Sequence, residues 1–135
     1  MRISICRGFI YIFIALVSQG CGDSKKRTDI QVINLTEADL QETEVWFGKN
    51  VCEVGIMGPG GAATHLYYES PITSKALVTW VDQRGAKQQR EVDLEGVYDK
   101  SKPGRLFFDI RTNEIKARFE PFTSVRKDYE KTKKE

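Results

Sequence analysis

The stretch "KALVTWVDQRGAKQQREVDL", residues 75–94, decides the fold class. Ala76, Val78 and Trp80 fall on one side of an extended chain, and Leu77, Thr79 and Val81 fall on the other. That two-residue alternation belongs to a strand; a helix would group its apolar residues three and four apart. Asp82-Gln83-Arg84-Gly85 reads as a hairpin turn, after which the chain returns through "AKQQREVDL". Trp80, central in the most hydrophobic strand, is expected to be the core aromatic.

The same pattern repeats outward in both directions. Strand-like runs are "DIQVINL" (29–35), "TEVWFG" (43–48), "VCEVGIM" (51–57), "AATHLYY" (62–68), "RLFFDI" (105–110) and "EIKARFE" (114–120). Turn residues separate them: Gly48-Lys49-Asn50, the "GPGG" at 58–61, Ser70-Pro71, "YDKSKPG" and Thr112-Asn113. Alternation places Val45 with Phe47, then Cys52 with Val54 and Ile56, on inward faces. It does the same for Leu106, Phe108 and Ile110, and for Ile115, Ala117 and Phe119. No segment keeps helical spacing over three turns. Together these runs predict an all-β, antiparallel, immunoglobulin-like or fibronectin-III-like sandwich of about seven or eight strands, with a small β-barrel as the structural alternative. A disulfide-bonded immunoglobulin domain is excluded, because no Cys…Trp…Cys framework exists.

The N-terminus addresses the compartment. "MRISICRGFIYIFIALVSQGC" has a positive start in Arg2 and Arg7, an unbroken apolar run from Phe9 to Val17, and small Ser18 and Gly20 before Cys21. This is the layout of a secretory signal peptide, too short to cross a bilayer as a helix. Gly20-Cys21 resembles the end of a bacterial lipoprotein lipobox, although Gln19 and Ser18 depart from its usual residues. The resemblance implies cleavage between Gly20 and Cys21, with diacylglycerol on the Cys21 thiol and fatty acyl (palmitate-type) chains as the anchor. Ordinary signal-peptidase cleavage after small residues is the other reading. Either way the mature protein is expected outside the cytoplasm. The expected organisation is a signal peptide over 1–20 and an anchored Cys21 with a flexible tether over 21–28. A sandwich comes next over 29–122, then a charged, disordered tail over 123–135.

The cysteines can be assigned on this basis. Cys6 leaves with the leader, and acylation of Cys21 leaves Cys52 alone as a buried core thiol. Without acylation, Cys21 and Cys52 could pair in an oxidising compartment. The leader carries two arginines and no acid, so the net charge of +2 for the whole chain falls to 0 from Cys21 onward. A neutral, finely mixed surface is not that of a nucleic-acid binder.

Catalytic chemistry is thin. His65 is the one histidine, and neither a zinc ligand set nor a G-x-S-x-G elbow accompanies it. The "GPGG" turn lacks the lysine and hydroxyl of a phosphate loop. No cofactor, no metal and no enzymatic activity are expected. Trp46, Tyr67 and Tyr68 are the candidate binding residues, as aromatics for a protein or glycan surface.

With "GCGDS" ahead of an eight-strand body, the chain resembles small, largely uncharacterised bacterial lipoproteins that carry one immunoglobulin-like domain. The stretch "GPGGAATHLYYESPITSKALVTWVDQRG" with "VDLEGVYD" after it is similar to a pattern in predicted bacterial lipoproteins. The resemblance implies no activity and no site residues. The expectation is therefore a membrane-anchored envelope lipoprotein, a non-catalytic binding or structural module with an envelope protein or glycan as partner. The alternatives are a periplasmic enzyme inhibitor or accessory protein acting through a loop such as residues 58–61, and a hydrolase using His65.

Overall fold

The computed structural model of the chain describes residues 26–122. Cys21, Gly20, the leader and the tail beyond Phe122 lie outside the described residues. The order of elements is β1 (Thr28–Asn34), β2 (Leu40–Phe47), β3 (Asn50–Met57), β4 (Ala62–His65), β5 (Lys75–Val81), β6 (Lys87–Asp93), β7 (Gly104–Ile110) and β8 (Ile115–Pro121). They form two four-stranded sheets, β4-β1-β7-β8 and β3-β2-β5-β6. The protein is an all-β sandwich, and each of the eight strand-like runs of the sequence overlaps a strand.

Alternation builds the core. Ile30 and Val32 of β1 stand beside Leu106 and Phe108 of β7. Across the sandwich, Val45 of β2 stands beside Val78 of β5. All six are almost wholly buried. Phe47 and Phe108 meet between the sheets at 6.1 Å between ring centroids, within the range of favourable tilted pairs. The buried Asn34 side chain donates to the carbonyls of Ala38, Met57 and Gly58. It thereby ties the end of β1 to the turn after β3.

Three details correct the sequence reading. The sandwich is not purely antiparallel, since β1 and β7 run parallel with Thr28 opposite Gly104 and Asn34 opposite Ile110. Parallel neighbours need a long crossover, and here the whole second sheet, together with β4, supplies it. Trp80 is only half-buried against the core, lying one residue from the end of β5 opposite Gln88. Phe47 and Phe108 take the place expected for it.

The third correction concerns β3. Thr43 pairs with Gly55 and Glu44 with Glu53, so the register shifts where Gly55 adopts φ 88°. Such a bulge reverses the facing of the residues beyond it. Ile56 is 76% exposed, and Met57 takes its place in the core.

Candidate binding cleft

The strand "AATHLYY" ends early, at His65, and its tyrosines leave the sheet. Tyr67 adopts φ 55°, a left-handed conformation that costs a non-glycine residue about 1–2 kcal/mol. A fully buried carboxylate holds it there. Asp29, at the start of β1, is 0% exposed, and its Oδ1 accepts from the Tyr67 backbone N–H at 3.0 Å. The Arg27 guanidinium grips the same carboxylate at both oxygens, each at 3.0 Å. Arg105, opposite on β7, reaches Oδ2 at 3.4 Å and the Gln31 side chain at 3.1 Å.

Burial alone would raise the Asp29 carboxyl. The hydrogen bonds from Arg27, the Tyr67 N–H and Arg105, with the charge of Arg27, outweigh it and hold the group below the ordinary carboxylate value. Arg27 is in turn held protonated, chiefly by its hydrogen bond to Asp29.

The guanidinium also covers Tyr67. Arg27 Cζ lies 3.9 Å from the Tyr67 ring centroid, a cation–π distance, and Nη1 donates to the phenol oxygen at 3.0 Å. A half-buried ion pair and a strained backbone thus act together on a tyrosine that stays 59% exposed. Strain of this kind persists only where the surrounding structure over-determines it, as Asp29 and Arg27 do here.

Tyr67 stands at the mouth of an open cleft of about 1100 Å³ at the end of the sandwich where the chain enters it. Tyr68, Ile72 and Tyr98 form its apolar wall, and Lys26, Arg27 and Lys100 bring the positive charge. Tyr68 is pinned by its N–H to the Thr28 carbonyl at 2.8 Å, and its ring meets Phe47 of the core at 5.3 Å. Burial, partly offset by Ser70, pushes its phenol above the ordinary value. Tyr98 is held by a hydrogen bond between its hydroxyl and Thr28 Oγ1, 3.1 Å long, and by an edge contact with Phe119.

Two of the three candidate aromatics therefore meet in one site. Trp46 does not join them. It lies on the outer face of the other sheet, in a smaller groove of about 430 Å³ with Trp80, Leu77, Glu42 and Glu44. Its indole N–H donates to Glu44 at 2.9 Å. His65 is exposed on β4, where its ring meets Tyr68 edge-on. Among the described residues no serine or carboxylate hydrogen-bonds it, and no cluster of His, Cys, Asp and Glu could hold a metal ion. Cys52 is a free thiol, 1% exposed, and burial pushes it up to about 11.

No family model and no curated protein matches the chain. Its fold is similar to the NMR structure of a protein from Eubacterium rectale, with a TM-score of 0.50 and 21% identity. That likeness covers 73% of this chain and 93% of the other. At such identity it speaks for the fold alone.

Sequence reasoning missed Arg27, Asp29 and Tyr98. A signal existed for the pair: aspartate is depleted in strands, and Arg27 two residues earlier falls on the same side of an extended chain. What was invisible is the return of Tyr67 to Asp29 from 38 residues away.

Proposed function

We propose that the chain is a membrane-anchored lipoprotein of the bacterial envelope whose sandwich is a non-catalytic binding module, with the cleft of Tyr67, Tyr68 and Tyr98 as its ligand site. The observation that carries the binding half is Tyr67. A fully buried Asp29, gripped by two arginines, keeps it in a left-handed conformation and largely exposed at the cleft mouth. The anchoring half is supported by Gly20-Cys21 behind an apolar leader. The test is the intact mass of the protein taken from its native membrane, before and after hydrolysis of ester-linked chains. A product beginning at acylated Cys21 is expected, and an unmodified, soluble product overturns the anchor.

A second reading has one observation in its favour. Residues 58–60 of the turn at 58–61 are exposed, yet the turn is pinned to β1 through Gly60 N–H to Asn34 O at 2.7 Å and Asn34 N–H to Gly61 O at 2.8 Å. An exposed, pre-organised loop beside Ile56 suits an inhibitor that inserts into a partner enzyme. That reading predicts a stoichiometric complex abolished by substitution within the turn and indifferent to Tyr67.

A further inference from the structure

We infer that the cleft docks on anionic phospholipid headgroups of the same bilayer that carries the anchor, an inference that rests on the reading of Cys21 as acylated. Four residues separate Cys21 from Lys26. Those five backbone steps span at most about 18 Å even when fully extended. Lys26 itself lines the cleft. The covalent chain therefore confines the cleft to the immediate neighbourhood of the headgroups, whatever conformation the tether takes.

The chemistry of the lining fits that neighbourhood. Its charged groups are Lys26, Arg27 and Lys100 against Glu69, an excess of two positive charges. Among the described residues, Lys26 and Lys100 make no ion pair. They are free to meet phosphate oxygens. The Asp29 carboxylate does not reduce that excess, because it is buried and Arg105, which is not among those lining charges, pairs with it at 3.4 Å. Tyr67 and Tyr98 add amphipathic rings, which favour the boundary between acyl chains and water. The Trp46 groove lacks this combination: Glu42 and Glu44 outnumber Lys87 in its lining, and it belongs to the other sheet. Cations near an anionic surface contribute about fivefold each to partitioning.

The test uses the mature chain from residue 21 with Cys21→Ser, so that no acyl chain contributes. Its complete core lies between Thr28 and Pro121. Co-sedimentation is measured with vesicles of phosphatidylcholine alone and with one third phosphatidylglycerol. Binding to the anionic vesicles only is expected. The double variant Lys26→Gln, Lys100→Gln should then lose roughly 25-fold, at about fivefold per cation. A control pair remote from the cleft, Lys87→Gln with Lys116→Gln, removes the same net charge and should lose less than about threefold, given screening beyond about 10 Å. Equal losses for the two pairs, equal binding to both vesicle types, or no binding at all would each overturn the inference. Failure of the anchor reading shows separately, as an unmodified Cys21 in the intact mass.

Discussion

Asp29→Asn tests whether the buried carboxylate is what holds the cleft together. Asp29 accepts four hydrogen bonds, two from Arg27 and one each from Arg105 and the Tyr67 N–H. Hydrogen bonds to charged groups contribute about 1.5–3 kcal/mol each, but that sum overstates the loss. The Arg27 and Arg105 side chains are 36% and 32% exposed, so both guanidiniums recover water when the charge disappears. The Asn oxygen still accepts from Tyr67. A net loss of about 2–3 kcal/mol at pH 7 is expected, which lowers the urea midpoint by roughly 1–2 M.

The pH dependence makes the prediction specific. The folded-state carboxyl of Asp29 is depressed, so its contribution is fully present above the unfolded value of about 3.9. It is lost as pH falls through the lower folded value. The gap between wild type and variant should therefore be constant from pH 7 to about 5 and shrink below about 4. Urea titrations at pH 7, 5 and 3 measure it. A gap under about 0.5 kcal/mol at pH 7, or one unchanged at pH 3, refutes the reasoning about a buried charged clamp.

Three other perturbations probe the cleft mouth, the β7–β8 packing and the core thiol. Tyr67→Gly relieves about 1–2 kcal/mol of left-handed strain and loses a cation–π contact of about 0.5–1 kcal/mol. Stability by denaturant titration should thus change by no more than about 1 kcal/mol while vesicle binding falls; a loss above about 2 kcal/mol would make Tyr67 a structural residue. Gly104→Ala would place its Cβ 2.5 Å from Phe119 Cζ and 2.6 Å from the Glu120 carbonyl oxygen. Because one obstacle is backbone, a cost of about 2–3 kcal/mol and a fall in Tm of roughly 10–20 °C are expected by calorimetry, and an unchanged Tm would contradict the packing at the β7–β8 start. Cys52, buried and raised to about 11, should resist a thiol reagent at pH 8 in native buffer and react fully in denaturant. Rapid native labelling would show that the β3 edge opens.

Much of the fold was legible because it rests on local alternation. The runs at 29–35, 51–57, 75–82 and 105–110 each contain or overlap a strand of the sandwich, since a period of two leaves an extended chain no other way to bury one face. The alternation failed at Ile56, where a bulge inserts a residue that pattern reading cannot see. It also failed at Trp80, whose distance from the sheet end matters more than its hydrophobicity. The candidate site was half legible. Tyr67 and Tyr68 were visible as neighbours in one apolar run, but Trp46, equally aromatic, went to a different sheet.

By itself, then, the sequence determined an all-β body and which face of most strands points inward, because those depend on residues two apart. It also carried the Gly20-Cys21 pair on which the proposed anchor rests. Only the tertiary structure decided that β1 lies parallel to β7, that Arg27, Asp29, Arg105 and Tyr67 form one clamp, and that the clamp opens a cleft beside the point where the chain enters. These contacts join positions up to 76 residues apart. They offset the cost of desolvating a charge that only the assembled sheets bury.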